Sequence, residues 1–101
     1  MRLKDRVAVV TGAARGLGRA FAMRLAEEGA KVMAMNIALR PRDREDLLQT
    51  VKQIKALGGE AVSFQGDVTD EGATRAMAEA TVKAFGKVDI LINNAAIYDG
   101  L

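Results

Sequence analysis

Residues 11–18 read TGAARGLG, a segment with three glycines that separates an apolar run from an amphipathic one. The apolar run, Arg6–Thr11, is typical of a short strand, and residues 16–28 have helical spacing until Gly29 stops the pattern. The apolar positions of this helix are Leu17, Ala20, Phe21, Leu25 and Ala26. A glycine-rich turn from strand to helix directs backbone N–H groups and the positive helix end at one point. We therefore expect an anion site suited to a pyrophosphate, although three glycines also suit a plain tight turn.

The next segment of the chain repeats the alternation of strand and helix. Lys31–Asn36 and Ala61–Gln65 are short apolar runs that predict a second and a third strand. Between them, Asp43–Leu57 has the periodicity of a helix, and Gly58 with Gly59 ends it. One face of this helix carries Leu47, Val51 and Ile54, with Leu48 beside them.

A third helix and a fourth strand complete the pattern. Thr69 is placed to cap the helix, with Asp70 and Glu71 in its first turn, where the helix dipole favours negative charge. Gly86 follows the last turn of the helix, and Val88–Ile92 is the fourth strand.

The resulting order, β-α-β-α-β-α-β with short connections, predicts an α/β fold with a doubly wound parallel sheet. Right-handed crossovers give the strand order 3-2-1-4, with the first two helices on one face of the sheet and the third on the other. The direction of the chain reverses after the third strand. A ligand is therefore expected in the crevice at the ends of the first and fourth strands.

The composition fits one globular domain and limits its chemistry. The 101 residues are 50% hydrophobic and 28% charged, and they include neither cysteine nor histidine, so disulfides, thiolate metal sites and histidine catalysis are excluded. No apolar run has the length of a membrane span and the charged N-terminus does not resemble a signal peptide, so we expect a cytoplasmic protein without a membrane partner.

The charge is distributed unevenly along the chain. Residues 1–55 carry 12 Lys and Arg against 6 Asp and Glu, whereas residues 56–101 carry 3 against 7. Nucleic-acid binding through the basic half would call for aromatic side chains among the charges. Only four aromatic residues are present and Phe21 has a core-like position, so nucleic acid is not the expected partner.

Two later motifs decide between the interpretations of the glycine turn. Its G-x-x-x-G-x-G spacing is neither the G-x-G-x-x-G dinucleotide fingerprint nor an ATPase phosphate loop. However, the combination of T-G-x-x-x-G-x-G at Thr11–Gly18, Asp67 with Val68 after the third strand, and N-N-A-A at Asn93–Ala96 after the fourth resembles the N-terminal half of a short-chain dehydrogenase/reductase. The resemblance covers essentially the whole chain. It implies a Rossmann-type fold that binds a nicotinamide dinucleotide for hydride transfer with a carbonyl or alcohol substrate.

The resemblance also implies roles for individual residues. Gly12, Gly16 and Gly18 would hold the pyrophosphate, together with the backbone of Leu17. Asp67 would accept a hydrogen bond from the adenine amino group, and Val68 would lie against the ring. Asn93, Asn94 and Ala95 would border the cofactor ribose and stabilise the central crevice. Asp67 could instead be a turn residue and the asparagines could close a loop; Ala96 stands where the family usually has glycine.

The residues around the second strand favour NADP over NAD. A carboxylate usually follows this strand in NAD sites, but Asn36 stands there and lacks the charge that repels a 2′-phosphate. Arg15 precedes the second glycine, and Arg40 and Arg42 follow the strand; their guanidinium groups suit a phosphate. Alternatively, the arginines after the strand form a solvated surface run that pairs with Asp43, Glu45 and Asp46.

The catalytic residues that the resemblance implies are missing from the 101 residues. The family uses a serine, a Tyr-x-x-x-Lys pair and an asparagine, whereas Tyr98 is followed only by Asp99, Gly100 and Leu101. We therefore expect residues 1–101 to be a cofactor-binding half-domain, truncated before the catalytic segment and inactive alone. An apolar fourth strand at the sheet edge also predicts association with itself or with a complementing chain. The alternative function is a non-catalytic module that docks on a partner through this edge.

Overall fold

A single parallel sheet organises the computed structural model, which describes residues 2–36, 41–67 and 70–94. The four strands lie in the order β3-β2-β1-β4, as predicted. The strands are β1 (Val7–Thr11), β2 (Lys31–Asn36), β3 (Ala61–Gln65) and β4 (Ile90–Ile92). The helices are α1 (Gly16–Glu27), α2 (Pro41–Ala56) and α3 (Glu71–Phe85). The element order and the sheet topology confirm the fold expected from the sequence.

The helices cover the two faces of the sheet unequally. On one face, α1 and α2 pack over Val10, Val32 and Ala34, and their own Leu47 and Ile54 are fully buried. On the other face, Met77 of α3 packs on the intervening side chains of the central strands, which are Val9, Met33 and Met35. Side chains of a strand alternate between faces, so β1 and β2 are buried on both sides, as their apolar runs predict.

The inward face of α1 agrees with the prediction at Ala26, which is buried, and at Leu25, which packs on the core, but not at the two largest predicted side chains. Leu17 is 68% exposed and Phe21 is 41% exposed, so neither belongs to the core. The buried residues of α1 are Gly18, Ala22 and Ala26, which recur every four positions. Small residues let the helix axis approach the sheet closely. The prediction from periodicity gave more weight to the larger apolar side chains beside them. Phe21 therefore gives no support to the argument against nucleic acid.

The start of α3 also corrects a prediction. Asp70 is the N-cap, and its carboxylate accepts hydrogen bonds from the amides of Gly72 (2.9 Å) and Ala73 (3.3 Å). The prediction that Thr69 caps this helix, with Asp70 in the first turn, is wrong; Thr69 itself lies outside the described residues. A carboxylate at the cap satisfies two free amides and also complements the helix dipole. Gly86 ends the helix at φ 89°, as expected.

Strand β4 begins two residues later than predicted, because Asp89 has another role. Its Oδ2 accepts a hydrogen bond from the amide of Val7 at 2.9 Å, and Lys87 Nζ lies 3.0 Å from the same oxygen. The Val7 amide, then Lys87, lower the pKa of Asp89 below its ordinary value of 3.8. Asp89 thus ties the start of β1 to the segment before β4.

The outer strand and its surroundings expose apolar side chains. Leu91 in β4 is 62% exposed, and Val88, two residues before the strand, is 43% exposed. This agrees with the expected apolar edge. Among the described residues no helix combines the length and the apolar character that crossing a bilayer demands. The same residues contain no group of three acidic side chains that could hold a metal ion.

Candidate functional site

The predicted site residues that the structure describes all lie at one end of the sheet, where the carboxyl ends of the parallel strands meet. Thr11 and Asn36 are the last residues of β1 and β2, Asp67 follows the end of β3, and Asn93 follows β4. Val68 and Ala95 lie outside the described residues. The amide of Gly66 donates to the carbonyl of Asn36 at 3.0 Å, which joins the ends of β2 and β3. Four short segments thus converge at the carboxyl ends of the strands.

The glycine-rich turn, residues 12–18, needs glycine at three positions for two different reasons. Gly12 (φ 67°) and Gly16 (φ 58°) adopt left-handed backbone conformations that other residues rarely adopt. Gly18 has an ordinary helical backbone, but a Cβ there would lie 1.8 Å from the carbonyl oxygen of Gly12 and 2.9 Å from Asn94 Nδ2. The turn therefore folds back on the first turn of α1 with no room for a side chain between them.

The N-terminus of α1 is open, unlike that of α3. The N-cap residue is Arg15, whose side chain makes no capping hydrogen bond, and the first turn contains no acidic residue. The first amides of a helix have no partner within the helix, and together they carry partial positive charge. Asp70 supplies the negative group at α3, whereas no side chain supplies one at the start of α1.

A buried hydroxyl joins the ends of β1 and β4. Thr11 is 4% exposed, and its Oγ1 accepts a hydrogen bond from the amide of Asn94 at 2.9 Å. The hydroxyl donates to Asn93 Oδ1 at 3.1 Å. Both asparagines are thereby fixed beside the glycine-rich turn, and Asn94 reaches Gly18. The structure brings Thr11, Gly12, Gly18 and the two asparagines together, as their common edge predicts.

Arg15 extends from the turn to the beginning of α2. Its Nη2 is 3.5 Å from Asp43 Oδ1 and its Nε is 3.6 Å from Asp46 Oδ2. The Asp43 side chain is 7% exposed, whereas that of Arg15 is 47% exposed. Asp43 and Asp46, two of the three acidic residues that one interpretation paired with the arginines after β2, thus both contact Arg15. Arg42 is exposed, and Arg40 lies outside the described residues.

Sequence reasoning missed the residues that support the turn from behind. Ala13 and Ala14 are buried, and the amide of Ala13 donates to the carbonyl of Met35 at the end of β2 (3.1 Å). Thr50 of α2 is fully buried, with its hydroxyl 2.7 Å from the carbonyl oxygen of Ala13. One signal could have identified Thr50: it is a polar residue on the α2 face that also carries Leu47 and Ile54.

Comparison with known proteins agrees with the fold. The family model for short chain dehydrogenases matches residues 6–100. Galactitol 2-dehydrogenase of Agrobacterium fabrum is 42% identical over 99 residues, which are 98% of this chain and 36% of that protein. Versicolorin reductase 1 of Aspergillus parasiticus is 47% identical over 96 residues, 95% of this chain and 35% of that protein.

Solved structures with the same fold include dinucleotide complexes. A short chain dehydrogenase from Mycobacterium paratuberculosis bound to NAD superposes with a TM-score of 0.90 at 37% identity, over 97% of this chain and 39% of its own. Carveol dehydrogenase from Mycobacterium avium in complex with NAD gives 0.86 at 36% identity, over 95% of this chain and 37% of its own.

The chain therefore belongs to the short-chain dehydrogenase family. Its sheet is the Rossmann-type half that the resemblance implied, and the family is one of oxidoreductases. The chain spans little more than a third of the length of the relatives and structures it matches.

Proposed function

We propose that residues 1–101 form the half-domain that binds a nicotinamide dinucleotide in an oxidoreductase acting on carbonyl or alcohol substrates. The open N-terminus of α1, with Gly18 packed against Gly12, carries the proposal. A pyrophosphate supplies the negative charge that the uncapped helix lacks, and the missing Cβ atoms allow backbone amides to approach it closely.

The remaining site residues surround the rest of the dinucleotide. Asp67, after β3, would accept from the adenine amino group, with Val68 against the ring. Asn36 would bond the adenosine ribose. Asn93, Asn94 and Ala95 would border the ribose near the nicotinamide, where the hydroxyl of Thr11 holds both asparagines. When bound, the nicotinamide ring supplies the group that gives or takes a hydride.

Fluorescence titration with NADPH and with NADH tests the binding function directly. We expect a saturable change with at least one of them. ATP is the control, because it carries the adenine and phosphates but has no nicotinamide half. Failure of both reduced dinucleotides to bind would refute the proposal, and equal binding of ATP would indicate a general phosphate site instead.

Arg15 supports NADP as the preferred cofactor, with NAD as the alternative. Its guanidinium is half-exposed beside the turn and can donate two parallel hydrogen bonds to a 2′-phosphate. Asn36, unlike a carboxylate, does not repel that phosphate. The phosphate has to compete with Asp43 and Asp46, which already contact Arg15.

The variant Arg15→Met tests this preference. We expect the Kd for NADPH to rise about tenfold, equivalent to one charge-assisted hydrogen bond, while the Kd for NADH stays within about twofold. Arg24→Met is the matched control, because Arg24 lies on the same helix and pairs with Glu28 at 3.1 Å, outside the site. Tighter binding of NADH by the unmodified protein would contradict the preference.

Residues 1–101 alone should have no dehydrogenase turnover, because they contain no Tyr-x-x-x-Lys pair. We also propose that the β4 edge, where Leu91 is 62% exposed, is covered by a second copy or by a complementing chain. Light scattering tests the assembly, and a stable monomer would contradict it. The proposed setting is the cytoplasm, without a membrane or nucleic-acid partner.

A further inference from the structure

We propose that Thr50 and Arg19 are positioning residues, which hold the glycine-rich turn in its binding shape and thereby set the affinity for the dinucleotide. This inference rests on the proposed function and extends it to two side chains that the motifs do not include. Thr50 belongs to α2 and Arg19 to α1, and they meet behind the turn, on the side away from solvent.

The direction of the hydrogen bonds at Thr50 follows from the chemistry of its neighbours. Arg19 Nε lies 2.9 Å from Thr50 Oγ1, and a guanidinium group can only donate. The hydroxyl therefore accepts from Arg19 and gives its single proton to a carbonyl. Ala13 has the nearest carbonyl oxygen, at 2.7 Å, whereas those of Ala14 and Asp46 lie at 3.3 Å.

Arg19 completes the connection between the two helices. Its Nη2 donates to the carbonyl of Asp46 at 2.8 Å, one turn before Thr50 on α2. Arg19 immediately follows Gly18, so the same guanidinium links the first turn of α1 to α2. The side chains of Arg19 and Thr50 thus form a continuous hydrogen-bond network that connects α1, α2 and the buried side of the glycine-rich turn.

Ala13 is held from two directions. Its amide donates to the carbonyl of Met35 in β2, and its carbonyl accepts from Thr50. The peptide between Ala13 and Ala14 is planar, and the hydrogen bond from Thr50 to its carbonyl orients that plane. In a trans peptide the N–H points opposite to the C=O, and the amide of Ala14 is therefore turned away from Thr50.

Thr50 acts on the ligand only through the turn. Its exposed fraction is 0%, so no cofactor can contact it in this fold. The residue Thr81 of α3 offers a close comparison: it is equally buried, but its hydroxyl donates to Met77 within its own helix at 2.8 Å. The two threonines separate the effect of losing a buried hydroxyl from the effect of releasing the turn.

The test compares Thr50→Val, Thr50→Ser and Thr81→Val in the protein, with two measurements. Amide hydrogen exchange of residues 13–18 without ligand reports the turn itself. Titration with NADPH and NADH measures the affinity for the dinucleotide. For Thr50→Val we expect faster exchange of the turn amides and about tenfold weaker binding, equivalent to about 1.4 kcal/mol. Thr50→Ser keeps the hydroxyl and should restore both values, and Thr81→Val should leave both unchanged.

Arg19→Met keeps the Thr50 hydroxyl but removes the Nε donor to it and the Nη2 link to the Asp46 carbonyl. We expect a change of the same sign and smaller size. The proposal is overturned if Thr50→Val and Thr81→Val give the same exchange rates and affinities, or if serine does not rescue. If the unmodified protein binds neither dinucleotide, the proposed function fails, and the exchange rates still decide whether Thr50 holds the turn.

Discussion

Replacing Gly18 with alanine places a methyl group in a space that the backbone of the turn already occupies. The new Cβ would lie 1.8 Å from the oxygen and 2.5 Å from the carbon of the Gly12 carbonyl. Real Cβ atoms keep at least 3.0 Å from such neighbours. Rotation of a side chain cannot relieve this overlap, so the turn and α1 must separate by about 1 Å, the scale of misplacement that can cost about a hundredfold in a functional site.

The expected loss of stability combines two opposed effects. Alanine in a helix is more favourable than glycine by about 0.5–1 kcal/mol, because it restricts the unfolded chain. Overpacking costs about 1–3 kcal/mol, and the upper end applies here since backbone atoms must move. The net result is a loss of about 2 kcal/mol, which lowers the Tm of a chain of this size by about 8–16 °C.

Gly72→Ala is the matched control, because Gly72 also lies in the first turn of a helix. Its added Cβ would meet only the Asp70 carboxylate, at 3.3 Å, and that side chain can move. Thermal unfolding and dinucleotide titration are measured for both variants. We expect Gly72→Ala to keep the original Tm within a few degrees and the original Kd. If Gly18→Ala behaved like Gly72→Ala, the close approach of α1 to the turn would not be required for binding.

Two further predictions concern stability. Leu47→Ala removes a fully buried side chain and should lower the free energy of unfolding by about 2–5 kcal/mol. Leu48 is 47% exposed, so Leu48→Ala should lower it by less than about 0.5 kcal/mol. Chemical denaturation measures both, and equal losses would contradict the orientation of α2. The lowered pKa of Asp89 means that its carboxylate stabilises the fold above pH 3.8 and ceases to do so as the pH falls through the lowered value. Asp89→Asn should therefore melt below the unmodified protein at neutral pH, with a difference that closes in acid, and a difference independent of pH would refute this account.

The sequence predicted those features that depend on repeated or local chemistry. The apolar runs of β1 and β2 predict strands buried on both faces, and glycine after each helix marks its end within a few residues. The order β3-β2-β1-β4 then follows from the right-handed crossover and the reversal of the chain. Because parallel strands end at a common edge, the positions of Thr11, Asn36, Asp67 and Asn93 followed from the topology.

The features that the sequence did not predict depend on contacts between distant segments. Gly18 and Ala22 lie on the inward face of α1 beside the predicted Ala26, because the helix approaches its neighbours closely, whereas apolar periodicity gives most weight to larger residues. Asp89 accepts a hydrogen bond from the amide of Val7, which lies 82 positions away in the sequence. Thr50 likewise reaches a carbonyl 37 positions away. No local pattern contains such pairs.

The contrast between α1 and α3 separates the requirements of binding from those of folding. A side-chain cap such as Asp70 stabilises a helix by about 0.5–2 kcal/mol, and α1 does without one. The turn before α1 must therefore be held by other contacts, and Met35 and Thr50 provide them from the buried side. The start of α1 is then left without a side-chain cap or an acidic residue in its first turn. A ligand at a hundred times its Kd would add about 2.7 kcal/mol of stability, more than the cap that α1 lacks.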